Sequence, residues 1–228
     1  NPRELIEEIN VITDDFFNTS PEQEKLIPYK SYRKTVKIPI FDCVVGNPPY
    51  TRWTEIPEQT QKFIRDQVGK YMSKYNLTPQ VSKGVEPGIY VFWIMHATKF
   101  LKDGGRLGMI ISDSWLQADY GIGFANFLLD HYKVHSIIDI SSRVFPVPLI
   151  GTCIVLLEKC SNKEERDKNK IVFMYLNIKE GKLDINVILK AIERAKEGKI
   201  PATWINQQEF KELLEKLKTP PIIKVYEQ

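Results

Sequence analysis

Asn47-Pro48-Pro49-Tyr50 follows an apolar run from Ile38 to Gly46 (IPIFDCVVG), and this junction constrains the fold more than any other feature of the chain. The run reads as a buried strand closed by a glycine turn. Two prolines in series donate no backbone N–H, so the strand must stop there. The four residues therefore stand at the carboxyl end of a strand in an α/β sheet, where open sheets of that class place their ligands. Their chemistry suits holding a planar nitrogen still. The Asn47 carboxamide oxygen accepts a hydrogen bond from an amine, and the Pro48 carbonyl accepts a second. Proline rings fix φ and keep both acceptors aimed. Tyr50 adds an aromatic face for a flat group to stack on.

The 228 residues fit one large domain, or one domain with an appendage, and 43% hydrophobic content is ample for a core. A net charge of +3 permits nucleic-acid binding without arguing for it, because local patches decide that. Cys43, Cys153 and Cys160 are odd in number, and Cys43 and Cys153 lie in apolar strand patterns. They read as small buried residues of a reducing, cytoplasmic protein. His96, His131 and His135 are scattered, so no metal site is expected. No membrane-length apolar run is present.

The chain divides into an entry segment, 1–37, a central α/β unit, 38–177, and a helical extension, 178–228. Leu5, Ile6, Ile9 and Ile12 suggest a short amphipathic helix, followed by a polar stretch with Pro21 and Pro28. After the strand at 38–45, residues 59–71 fit a helix and 90–101 another, the second stopped by Asp103-Gly104-Gly105. Strands follow at 106–112, 134–140, 152–158 and 171–176, with a helix at 119–132. The order predicts a mostly parallel sheet with a late antiparallel hairpin strand. Helical patterns return at 183–196 and 207–217. Arg52, Lys70 and Lys74 lie in a polar, basic stretch and read either as a solvated face or as contacts to a DNA backbone.

Three blocks carry a resemblance to a known family: FDCVVGNPPYTR at 41–52, YVFWIMHATKFLKDGGRLGMIISDSWLQADYG at 90–121, and IIDISSRVFPVPLIGTCIVLLEK at 137–159. The chain resembles the N6-adenine DNA methyltransferases of the Asn-Pro-Pro-Tyr type. It is most similar to the methyltransferase part of fused restriction–modification enzymes, type IIG or IIS-like. The likeness implies an S-adenosylmethionine-dependent methyltransferase (Rossmann-like) fold, present in part, acting on double-stranded DNA. It implies a flipped target base held by Asn47, Pro48, Pro49 and Tyr50. Tyr50 would stack on the base, with Phe145 of Val144-Phe145-Pro146 as the second aromatic contact.

One departure stands out. The family binds S-adenosylmethionine with a glycine-rich turn upstream of Asn-Pro-Pro-Tyr, and residues 1–37 contain no glycine. The chain is therefore expected to be the second half of the catalytic domain, unable to bind the cofactor alone. Its partners would be the other half and a target-recognition domain. The strand at 38–45 would then have a free edge, covered by residues 1–37, a second copy or the missing half. Two other readings stay open. One is a methyltransferase acting on cytosine N4, an RNA base or a protein glutamine. The other is a non-catalytic module that binds DNA or a partner.

Overall fold

The computed structural model describes residues 10–29, 31–83, 86–140, 151–176 and 203–218, with isolated positions between 186 and 197. Most of the expected amphipathic helix, and the helix at 183–196, lie outside them. The polar stretch around Pro28 forms an antiparallel ribbon, β1 (Glu24–Tyr29) and β2 (Tyr32–Lys37). Pro28 is tolerated because a two-stranded ribbon has only edges, where a missing donor is harmless. Ile27 is the ribbon's buried anchor, whereas Leu26 points to solvent.

The main sheet has six strands in the order β3-β4-β6-β5-β7-β8. They are β3 (Phe41–Gly46), β4 (Leu101–Ser112), β5 (Tyr132–Ile140), β6 (Thr152–Lys159), β7 (Ile171–Leu176) and β8 (Thr203–Ile205). β3 pairs with β4, and β5 with β7, in parallel. β6 runs antiparallel between β4 and β5, so β3, β4, β5 and β7 all point one way. The expected late hairpin is thus β5–β6, and its second strand is inserted between two parallel neighbours. Apart from Ser112 and Ser136, the buried residues on β4 and β5 are apolar, as a sheet covered on both faces requires.

The helices follow from pattern. α1 (Glu58–Lys74) buries Ile64, Val68 and Met72, spaced four apart on one face. α2 (Ile89–Ala97) is apolar all round and is buried at every position except Trp93. α3 (Gly121–His131) lays Phe124, Phe127 and Leu128 on the core. α4 (Lys163–Lys168) is short and capped by the Asn162 side chain, and α5 (Gln207–Lys218) docks through Phe210 and Leu214.

Asp103-Gly104-Gly105 does not stop a helix. α2 ends at Ala97 with a further tight turn to Phe100, and the glycines belong to β4. The register jumps there from Phe41↔Leu101 to Cys43↔Arg106, and Gly104 takes φ +78°, which a bulge can require of glycine. The helix end is instead closed by Lys159, whose Nζ donates to the carbonyls of Thr98 at 2.9 Å and Leu101 at 2.7 Å.

β3 is an edge strand. Among the described residues it pairs only with β4, and Val45 is 75% exposed. The described part of 1–37 pairs with itself, so it does not supply the expected cover. Cys43 is correspondingly exposed rather than buried, while Cys153 is buried as expected. Beside β3 lies an apolar cavity of about 400 Å³, lined by Ile12, Phe16, Ile38, Val44, Trp93 and Phe100. No described helix is long and apolar enough to cross a membrane.

Two histidines are structural. His96 Nε2 lies 3.0 Å from the Thr19 carbonyl and 3.2 Å from that of Phe16, pinning the turn before β1 to α2. Burial pushes the pKa of His96 down to about 4, and burial does the same for His131 beside Lys74. Both are neutral when folded, and their unfolded value is 6.5. As pH falls from 6.5 toward 4 the unfolded chain gains protons that the folded one does not, so stability falls. Asp139 opposes this. Burial, with Asp113 nearby, raises its pKa to about 6, so the folded state is protonated first. Denaturation midpoints measured from pH 7 to pH 5 should therefore decline, and Asp139→Asn should steepen the decline by removing the opposing term. A decline unchanged in Asp139→Asn would contradict this assignment.

Candidate active site at the carboxyl ends of β3 and β4

β3 ends at Gly46, opposite Met109, while β4 continues to Ser112. The Asn47–Tyr50 turn therefore leaves the sheet alongside a strand that is still running. Pro48 is buried, Asn47 and Pro49 are exposed, and Tyr50 is half-buried. The exit is anchored by Ile89 N–H, which donates to the Thr51 carbonyl at 3.1 Å, and by the buried Trp53.

The Tyr50 hydroxyl lies 2.6 Å from Asn47 Oδ1 and 3.3 Å from the Ile110 carbonyl. Burial raises its pKa to about 12, so it keeps its proton and acts as a donor. The Tyr50 ring stands edge-on to Tyr90, with centroids 6.5 Å apart at 87°. Tyr90 is itself fixed by hydroxyls. Its OH lies 3.1 Å from Ser114 Oγ and 2.9 Å from the Tyr120 OH, and those two are 3.2 Å apart. Ser112 Oγ donates to Ser114 Oγ at 3.0 Å. Three hydroxyls in a ring have one proton each, so every member can donate once and accept once.

Sequence reasoning treated Tyr90 only as helix core and missed this ring. Its signal was Ser112-Asp113-Ser114 at a strand's carboxyl end, a polar cluster where an α/β sheet places ligands. Asp113 sits there too, its N–H donating to the Gly151 carbonyl at 3.1 Å, and burial raises its pKa.

Other expected site residues fare differently. Phe145 lies outside the described residues. Arg52 is exposed two residues after Tyr50, its backbone N–H donating to the Glu55 carboxylate at 3.3 Å. Lys70 is exposed on α1. Lys74 Nζ donates to the Tyr75 hydroxyl at 2.8 Å and pairs with Asp130 at 3.2 Å, which ties α1 to α3. Among the described residues no group of three or more His, Cys, Asp or Glu could hold a metal ion.

Gly121-Ile122-Gly123 opens α3 after a strand and a tight turn, and this is the described glycine pair placed most like a phosphate or cofactor cradle. The glycines serve packing instead. A Cβ on Gly121 would lie 1.8 Å from the Trp115 carbonyl oxygen, and one on Gly123 would lie 2.1 Å from that of Tyr75. Protein backbone already fills the space a ligand would need at these two glycines, so this pair does not fit the glycine-turn grip of S-adenosylmethionine.

The Eco57I restriction-modification methylase family matches residues 2–145, more than half of the chain. The chain belongs to that family. The type II methyltransferase M.BstVI of Geobacillus stearothermophilus is 36% identical over 101 residues, covering 44% of this chain and 16% of that protein. The type II restriction enzyme and methyltransferase RM.Eco57I of Escherichia coli is 29% identical over 143 residues, covering 62% of this chain and 13% of its own length. This Eco57I-family chain therefore spans less than a fifth of either curated relative. Among solved structures, the type IIG restriction endonuclease BpuSI superposes with a TM-score of 0.54 at 13% identity, over 76% of this chain and 20% of that one. The architecture is the α/β, Rossmann-like methyltransferase fold that was expected.

The hydroxyl ring makes Tyr90 measurable in this Eco57I-family chain. Tyr90→Phe should cost about 1 kcal/mol of folding stability, because Ser114 and Tyr120 can still pair with each other. Tyr90→Ala should cost about 3–5 kcal/mol, because it also leaves a cavity in the core. A Tyr90→Phe variant as stable as the parent, read by chemical denaturation, would show that the hydroxyls do not hold the ring.

Proposed function

We propose that this chain is the target-base half of an enzyme that methylates adenine N6 in double-stranded DNA, with S-adenosylmethionine as methyl donor, in a restriction–modification system. The observation that carries the reading is the exposed Asn47 carboxamide oxygen at the carboxyl end of β3, fixed by Tyr50. Residues 38–177 form this half, residues 1–37 lead into it, and 178–228 extend toward a target-recognition domain. In this reading the cofactor's grip lies in the other half of the domain, packed along the open edge of β3 and over the apolar cavity beside it. An open edge of strong β-formers favours such cover.

The roles follow from the donor and acceptor inventory. The exocyclic amine of a flipped adenine donates one hydrogen to Asn47 Oδ1 and the other to the Pro48 carbonyl. Its lone pair is normally delocalised into the ring. Two acceptors on its hydrogens favour a pyramidal nitrogen and free that lone pair. Tyr50 stacks on the base, and by family likeness Phe145 packs against it. Base–aromatic stacking is worth about 1–3 kcal/mol. In this reading Arg52, before α1, and Lys70 and Lys74, toward its carboxyl end, supply contacts to the DNA backbone.

Asn47→Ala in the full-length protein should leave folding and DNA binding intact and lower the methyl-transfer rate by about 10²–10³, the usual loss when one preorganised partner of the reacting group is removed. Single-turnover methylation with labelled cofactor measures it. A rate near that of the parent would refute the assignment.

A further inference from the structure

The Tyr50 hydroxyl has one proton and, among the described residues, two acceptors. Asn47 Oδ1 lies at 2.6 Å and the Ile110 carbonyl at 3.3 Å, so the proton lies on the bond to Asn47. The oxygen assigned above to the incoming amine is therefore already in use. Its second acceptor position is weakened as well, because a carboxamide oxygen that accepts from a phenol has less electron density to offer another donor.

The alternative acceptor is available for a reason written in the register. β3 stops opposite Met109, so on that side β4 at Ile110 faces the Asn47–Tyr50 turn, while β6 pairs with it on the other side. The Tyr50 ring, half-buried and edge-on to Tyr90, needs only a small displacement to bring its hydroxyl nearer that carbonyl.

We propose that the Tyr50 hydroxyl is a latch on Asn47 that is closed in the DNA-free protein and moves to the Ile110 carbonyl when the target amine arrives. The inference rests on the adenine reading of the site. The incoming N–H replaces the hydroxyl on Asn47, and the hydroxyl is not orphaned, because Ile110 accepts it. No polar group is left unpaired at either end of the movement. Only a base with an amine at the reacting position opens the latch. A base with a carbonyl there has no proton to offer Asn47 and leaves it closed.

The test uses the full-length protein and its Tyr50→Phe variant, which keeps the ring and removes the latch. Two DNA duplexes are compared in equilibrium binding, one with adenine at the target position and one with hypoxanthine, which carries a carbonyl there. Tyr50→Phe should tighten binding of the adenine duplex by about 2- to 10-fold, because the variant no longer exchanges the short bond to Asn47 for a weaker one to Ile110. Binding of the hypoxanthine duplex should not change. An equal change for both duplexes, or weaker binding of the adenine duplex, would overturn the latch. In the DNA-free protein the Asn47 side-chain amide signals in nitrogen-15 NMR should shift in Tyr50→Phe, and unmoved signals would also overturn it. If the parent protein binds both duplexes alike, the adenine reading itself fails. The Asn47 signals then still decide whether the contact exists.

Discussion

The register between β3 and β4 is the constraint on which the site depends. β3 ends opposite Met109 and β4 runs on to Ser112. The Asn-Pro-Pro-Tyr turn therefore has a wall of backbone beside it instead of open solvent. That wall supplies the Ile110 carbonyl, and the turn that follows β4 supplies Ser114. The bulge at Gly104-Gly105 absorbs the extra residues at the other end of the pairing, so the two strands still run in register where they reach the site.

Packing then carries the site's precision inward. Tyr50 leans on Tyr90, Tyr90 is held by Ser114 and Tyr120, and Tyr120 stands directly before α3. Gly121 and Gly123 let α3 approach Trp115 and Tyr75 closely. A glycine pair that looks like a ligand cradle in sequence is thus a packing device that holds the aromatic wall in place. The edge of β3 is the opposite case, since among the described residues Val45 is exposed there and an apolar cavity lies beside it.

Much of this was legible in the sequence. β4 to β7, α2 and α3 are continuous or periodic apolar runs, and such patterns survive any choice of neighbours. The place of Asn47 and Tyr50 just beyond a strand's carboxyl end was legible because prolines end strands. What depended on pairing was not legible. The β1–β2 ribbon has a single buried anchor, Ile27, and carries a proline, so its pattern is too weak to read. The Gly104-Gly105 bulge exists only relative to β3. Cys43 looked like core because its apolar setting does not say that β3 lies at an edge. The Tyr50–Asn47 bond joins two residues singled out separately, and only coordinates show that one occupies the other.

The central claim is that Asn47 and Pro48 grip an adenine amine. The most direct measurement is methylation of double-stranded DNA by the full-length protein, followed by digestion to nucleosides and identification of the product by mass. The account predicts N6-methyladenine as the methylated nucleoside. N4-methylcytosine, or methyl groups on RNA or protein with none on DNA, would contradict it.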